Sequence, residues 1–230
     1  MLLTVILSWA HAILDSRRIW WNGEGHLTPM LDLINCMEGP DPSRVHSTSL
    51  DNSGQNAITK APWEFKKGEQ LFEPYGQPNH IYLMYHGFML EQNSHDCVRV
   101  DFELASDDPD FDSKRNNILQ NRVHHSTTLE ACLAVGRIRQ NVFEFLRITY
   151  GEQSRKRIYG IFYESLKEKL AKYLTTVEED ERILDQGKLE DGTPLNYHLR
   201  TAVKFRLSEK KLLNELIAWA LKKSGMKMEL

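Results

Sequence analysis

Cysteine is scarce in this chain of 230 residues: Cys36, Cys97 and Cys132 are all there is. They are far apart in sequence and odd in number. Neither a disulfide framework nor a Cys-x-x-Cys zinc site is indicated, and a reducing, intracellular compartment (cytoplasm or nucleus, or an organelle if a targeting segment precedes) is expected. A basic excess is missing as well. Up to residue 100 there are 7 basic residues against 11 acidic, and after it 22 against 21, so no nucleic-acid footprint is written in the charge. A glycine-rich phosphate loop is absent, because Gly23-Glu24-Gly25 runs into His26-Leu27-Thr28-Pro29 and not into a helix start. Metal-ligand spacing is absent too: His124 and His125 are adjacent, not a turn apart. Ser94, His95 and Asp96 are neighbours on one segment, which points them to different sides, and they read as a turn entering a strand. No apolar run approaches the roughly 20 residues a membrane span requires. Ala10-His11-Ala12 has the form of a secretory cleavage site, but no basic region precedes it. The spacing of Leu2, Val5, Ile6, Trp9, Ala10 and Ile13 predicts a buried helix instead. An apolar start of this kind suggests a chain lacking something upstream.

What the chain does contain falls into two styles. Residues 14 to about 102 are turn-rich, with NGEGH, EGPDPS, DNSGQN, KKG and YGQP separating strand-like runs. Those runs are AIT at 57–59, EQLFE at 69–73 and CVRVDF at 97–102; in the last, Val98, Val100 and Phe102 share a face. An acidic linker, ASDDPDFDS, fills 105–113. Beyond it, apolar residues recur with helical period over 129–149 (Leu129, Leu133, Val142, Phe145, Leu146), 155–184 (Ile158, Phe162, Leu166, Leu170, Leu174) and 199–222 (Leu213, Leu216, Ile217, Ala220). EEDE at 178–181 reads as a solvated helix face. The expected fold class is α+β: a short-stranded domain at 1–104 and an all-helical bundle at 114–230.

Three segments are more specific than packing requires: Ser16-Arg17-Arg18, LTPMLDLINC at 27–36, and FEPYGQPNHIYLMYHGF at 72–88. Their order is Trp-Ala, Ser-Arg, Leu-x-Pro-x-x-Asp-x-x-Asn, Gly-Glu-Gln-x-Phe-x-x-Tyr-Gly, Asn, Gly-Phe. It resembles the C-terminal half of a SET domain, in the subgroup of the Rubisco large-subunit lysine methyltransferase and the actin-histidine methyltransferase. YLTTVEEDERIL at 173–184 and RTAVKFRLSEKKLL at 200–213 are similar to the helical substrate-binding domain of that subgroup, and NSHDCVRVDF at 93–102 is similar to its actin-histidine branch.

The resemblance implies short strands around a pseudoknot-type loop region, S-adenosylmethionine as cofactor, and methylation of a lysine or histidine on a protein gripped by the helical domain. It implies that Arg17 helps hold the cofactor. It further implies that Asp32, Leu33, Ile34, Asn35 and Cys36 meet the adenine through their main chain, and that His86, Gly87 and Phe88 close over it. Tyr75 takes the position of the tyrosine beside the transferred methyl. The family has histidine where this chain has Cys36. The Gly-rich N-terminal half of the SET domain has no counterpart here, so a truncated form is expected; a SET-like binding module without catalysis is the alternative. No metal, membrane or nucleic acid is expected, and the chain is expected to be a monomer. In chemical terms, Phe72, Tyr82, Tyr85 and Phe88 could wall a channel that holds a cationic group over aromatic faces. Tyr75, a phenol with an ordinary pKa of about 10, would orient without titrating.

Overall fold

A computed structural model describes residues 2–21, 23–39 and 48–226, and divides them into two compact units that meet between Asp96 and Cys97. In the first, helix α1 (Leu2–Arg17) leads into a ribbon of β1 (Ile19–Trp21) and β2 (Glu24–His26), in which Trp20 lies opposite Gly25. A one-turn helix at Leu31–Leu33 delivers β3 (Asn35–Cys36). The ribbon of β4 (Ser49–Leu50) and β5 (Ala57–Ile58) follows, and then β6 (Phe72–Glu73). β3 and β6 run parallel, Asn35 opposite Phe72 and Cys36 opposite Glu73. A short helix α2 (Asn79–Ile81) continues into a wide π turn at Tyr82–His86. Few apolar side chains are fully buried in this unit; Tyr82, at 0% exposure, is the largest.

The second unit carries the hydrophobic core. β7 (Val98–Glu103) and β8 (Thr128–Leu133) pair antiparallel over their whole length. The helices are α3 (Phe111–Gln120), α4 (Gln140–Tyr150), α5 (Arg155–Ala171), α6 (Val177–Gln186) and α7 (Tyr197–Ser224). Phe145, Phe162, Leu166, Leu213 and Leu216 are sealed from water and meet the inward faces of β7 and β8 in one cluster. Each such side chain contributes about 1.5–3 kcal/mol by burial. α6 starts on a capping box: the Thr176 hydroxyl accepts from the Glu179 N–H while the Glu179 carboxylate accepts from the Thr176 N–H.

Several expectations change. The periodic stretch from 129 is not one helix: its first part is β8, because Leu129, Ala131 and Leu133 face inward with period two. Leu129 and Leu133 fit either period; the small Ala131 between them decides for the strand. The predicted helix over 155–184 breaks between α5 and α6, and Leu174, assigned to its apolar stripe, is 99% exposed. The acidic run at 178–181 is not all solvated, since Asp180 is fully buried. The linker ends early, in α3, where Lys114 pairs with Asp108 at 2.7 Å. Of the strand predicted at 69–73 only Phe72 and Glu73 pair. The strand-like run at 97–102, read as part of the first domain, belongs to the second compact unit. α1 is helical as predicted but not buried: Val5, Ile6, Leu7 and Trp9 are all more than half exposed. Cys97 and Cys132, distant in sequence, come together across β7 and β8 with Cα atoms 5.4 Å apart, a spacing that suits a disulfide; Cys36 is free. The EGPDPS turn from residue 40 onward, and the first residue of NGEGH, lie outside the described residues. Among the described residues no helix is long and apolar enough to cross a membrane.

Candidate active site

The parallel pairing of β3 with β6 brings two of the three over-specified segments together, and the end of α1 supplies the third. They line a cavity of about 570 Å³ whose wall includes Arg17, Asp32, Glu73, Tyr75, Tyr85 and His86. Its size falls within the range of small-molecule sites.

The Tyr75 hydroxyl donates to the Ile34 carbonyl at 2.6 Å, across 41 residues of sequence. Burial, and then the neighbouring Cys36 and Glu73, push this phenol up to about 12, so it stays neutral near pH 7. Arg17 Nη1 donates to the Asp32 carbonyl at 2.9 Å, and the Asp32 carboxylate lies 3.8 Å away. The helical end thereby fixes the backbone that leads into β3. The His86 imidazole, 5.6 Å from the Tyr75 ring, is held below its ordinary value chiefly by burial, so it is neutral. Gly87 ends the π turn at φ 73°, in the left-handed region. A Cβ there would meet nothing within 4 Å, so the backbone angle and not space makes glycine suitable.

Six assigned residues, Leu33, Ile34, Asn35, Cys36, Gly87 and Phe88, are not part of the cavity wall. Leu33 is mostly exposed and Asn35 is exposed, and neither side chain lines the cavity; what Asn35 offers is its main chain, next to the Ile34 carbonyl that Tyr75 holds. Phe88 stacks on Tyr82 with centroids 5.1 Å apart, behind the wall. The aromatic channel is corrected in the same way. Tyr82 is sealed, donating to Glu38 at 2.9 Å and accepting from the Gln77 N–H at 3.1 Å, and of the four rings only Tyr85 lines the cavity. Burial pushes the Cys36 thiol, opposite Glu73, up to about 11. Ser94, His95 and Asp96 do not converge. His95 approaches Glu38 at 3.4 Å, whereas Asp96 accepts from the Asn79 N–H at 3.0 Å and from Asn79 Nδ2 at 2.8 Å. Asn79 Oδ1 accepts in turn from the Leu90 N–H at 2.9 Å, tying the loop after the π turn back to α2.

Sequence reasoning missed Glu73. It is 2% exposed, it lines the cavity beside Tyr75, and burial pushes its carboxyl up to about 7. The raised value in the folded state means that folding favours the protonated form. Stability is therefore greatest below the unfolded value of about 4.5 and declines as pH rises toward 7. Glu73→Gln removes that slope. We expect the variant to gain about 1–2 kcal/mol relative to the parent between pH 4.5 and pH 8. Urea midpoints at the two pH values measure it; parallel changes in both proteins would refute the assignment.

Residues 151–213 match the family described as Rubisco LSMT substrate-binding. The actin-histidine N-methyltransferase of Xenopus tropicalis is 23% identical over 221 residues, covering 83% of this chain and 36% of that protein. The chloroplastic [fructose-bisphosphate aldolase]-lysine N-methyltransferase of Arabidopsis thaliana is 24% identical over 240 residues, covering 90% and 48%. The chain thus spans between about a third and a half of these relatives. Among solved structures, the SET domain of LSMT bound to lysine and AdoHcy superposes with a TM-score of 0.71 at 22% identity, covering 94% of this chain and 55% of that one. Rubisco LSMT bound to AdoMet gives 0.70 at 23%. The likeness gives the fold: the chain shares a mixed short-stranded and helical architecture with the LSMT SET-domain structure over nearly all its length.

Proposed function

We propose that this chain, with the fold of the LSMT SET-domain structure, is the C-terminal part of an S-adenosylmethionine-dependent protein methyltransferase acting on a lysine or histidine side chain. One observation carries the reading: the Tyr75 hydroxyl, bonded to the Ile34 carbonyl, joins segments that also present Arg17, Asp32 and His86 to one cavity. The cofactor suits these residues chemically. Arg17, half-exposed at the rim, can pair with its carboxylate, and Asp32 with its ammonium. The main chain from Asp32 through Cys36 can meet the adenine, while His86, Gly87 and Phe88 back the opposite side. S-adenosylmethionine, when bound, supplies an electrophilic methyl group on a sulfonium. The protein's part is to orient the acceptor and exclude water, an effect worth about 7–11 kcal/mol when the geometry is good. Tyr75 is suited to orientation because its proton is already committed and its phenol does not ionise.

The partner is read as a protein, gripped by the helices of the second unit, residues 97–230; recognition of a protein requires an area on the order of 800 Å² per side, more than a narrow acceptor channel offers. The near-balanced charge supports a chain that works apart from nucleic acid. The second reading, a SET-like module that binds without catalysing, is favoured by Cys36 where the family has histidine.

Titration of S-adenosylhomocysteine into the chain, followed by amide NMR, tests the proposal. Saturable shifts at Arg17, Asp32 to Cys36, Tyr75 and His86 to Phe88 are expected. Shifts confined to other residues, or none at saturating ligand, would overturn it.

A further inference from the structure

We propose that the open edge of β7 docks an extended, basic segment of the partner protein as a third strand. This rests on the reading above, in which the second unit grips a protein, and names the surface that does so.

The main chain is the first argument. β7 pairs with β8 alone, Val98 opposite Leu133 and Glu103 opposite Thr128, in a sheet of two strands. The Leu104 N–H donates to the Thr127 carbonyl at 2.9 Å. Hydrogen-bonded pairs alternate along an antiparallel ladder. Val98, Val100 and Phe102 therefore turn their main-chain groups to β8, whereas those of Arg99, Asp101 and Glu103 point the other way. Among the described residues no other main chain bonds to these outward groups. Such a row is a template to which another strand can add.

The space beside that edge is the second argument. A cavity of about 210 Å³ is lined by four consecutive residues of β7, Val100 to Glu103, and by none of β8. Successive side chains of a strand point to opposite faces, so a cavity touching all four lies along the edge and not over one face. The ends of α4 and α5 form the far wall, with Leu146, Thr149 and Lys169. Small-molecule sites take roughly 300–1,000 Å³; this smaller space suits the inward side chains of a passing strand. Thr149 is 8% exposed, and its hydroxyl is buried with no hydrogen-bond partner among the described residues. A buried hydroxyl left so in a cavity wall points to a ligand that completes it.

Charge is the third argument and selects the occupant. Asp101 and Glu103 are exposed on the outward face of β7. Asp101 stands opposite Glu130, and Arg99 pairs with Glu130. Like charges directly opposite weaken a strand pair, and opposite charges strengthen it. A third strand with lysine or arginine opposite Asp101 and Glu103 relieves the first effect and gains the second. Its alternate residues turn inward beside Val100 and Phe102, toward Leu146, and are apolar. The α5 side carries both signs, Glu168 with Lys169 and Lys172, and sets no preference.

A blocked heptapeptide of alternating valine and lysine, titrated into the full chain, tests this. Saturable binding should slow hydrogen exchange of the Asp101 and Glu103 amides about tenfold or more. N-methylation of the lysine amides, which face β7 in the added strand, should weaken the peptide about tenfold or more, and N-methylation of the valine amides much less. Glutamate in place of lysine should abolish binding to the parent and restore it to the double variant Asp101→Lys, Glu103→Lys. Thr149→Val, close in shape, should keep the fold and weaken the lysine peptide several-fold. Unchanged exchange at Asp101 and Glu103, equal binding of the peptide methylated on lysine, or equal binding of the glutamate peptide to the parent would overturn the proposal. Protection of the two amides that grows with protein concentration alone would assign the edge to a second copy and overturn it as well. S-adenosylhomocysteine shifts at Arg17 and His86 are read in the same sample: their absence counts against the methyltransferase reading, while the peptide result still decides the edge.

Discussion

Tyr75→Phe is expected to lower methyl transfer about 100-fold or more while leaving the fold and cofactor binding nearly intact. Among the described residues the hydroxyl makes a single bond, to the Ile34 carbonyl, and that carbonyl belongs to the segment proposed to meet the cofactor. Removing one fixed polar group beside a reacting centre costs about 10²–10³ in rate where such groups have been deleted. The stability cost is that of one neutral hydrogen bond, about 1 kcal/mol. Transfer of labelled methyl groups to a protein substrate reads the first effect, and thermal unfolding the second. Full activity in the Phe variant would show that the ring, not its oxygen, is what the site uses.

Asp180→Ala should be the most damaging single change in the second unit. Asp180 is fully buried and collects three partners: Lys210, Arg206 and the Thr175 hydroxyl at 2.9 Å. Burial works to raise its carboxyl, but hydrogen bonds from Arg206, Lys210 and Thr175 outweigh it and hold the group below the usual carboxylate range. Lys210 is 1% exposed and also donates to the Thr175 carbonyl at 2.8 Å, so α7 is fastened to the connection before α6. Without Asp180 the ammonium stays buried with only the neutral Thr175 and Thr176 carbonyls and the Thr175 hydroxyl to accept from it. The expected cost is about 3–5 kcal/mol. Asp180→Ala combined with Lys210→Met should recover much of it, because no lone charge is left inside. Urea denaturation of parent, single and double variants measures both; a single variant within 1 kcal/mol of the parent, roughly the value of an exposed pair, would rule the clasp out.

The same unit indicates what periodicity can reveal. α7 and α4 were readable because long amphipathic helices repeat the same signal many times. β8 was not, since two leucines four apart satisfy a helix as well as a strand. The α5–α6 break was written in the sequence as Thr176-x-x-Glu179, a start signal that outranks the continuity of apolar spacing. Asp180 misled because it sits among acidic neighbours that are exposed; which member of a charged run turns inward depends on Lys210, thirty residues later. At the site, Arg17, Asp32 and Tyr75 were legible only through the order of their motifs. Glu73 was invisible, because a carboxylate within a short strand reads as a solvent-facing edge residue until the cavity around it is seen.

The π turn at Tyr82–His86 bears on how this segment can vary. Each helical residue advances the chain by about 100°, and a π turn holds one residue more than an α turn. Tyr82, anchored to Glu38 and stacked on Phe88, opens the turn; His86, beside Tyr75, closes it. Substitution at Met84, which is well exposed, leaves that phase untouched. Deletion of any single residue between the two anchors does not: one residue fewer must bridge the same two anchors, so Tyr82 and His86 cannot both keep their places. His86 would then leave the cavity and Gly87 would lose the position its backbone angle serves. The stretch therefore tolerates changes of spelling but not of length, and insertions or deletions among natural variants should be missing from these five positions even where the residues themselves differ.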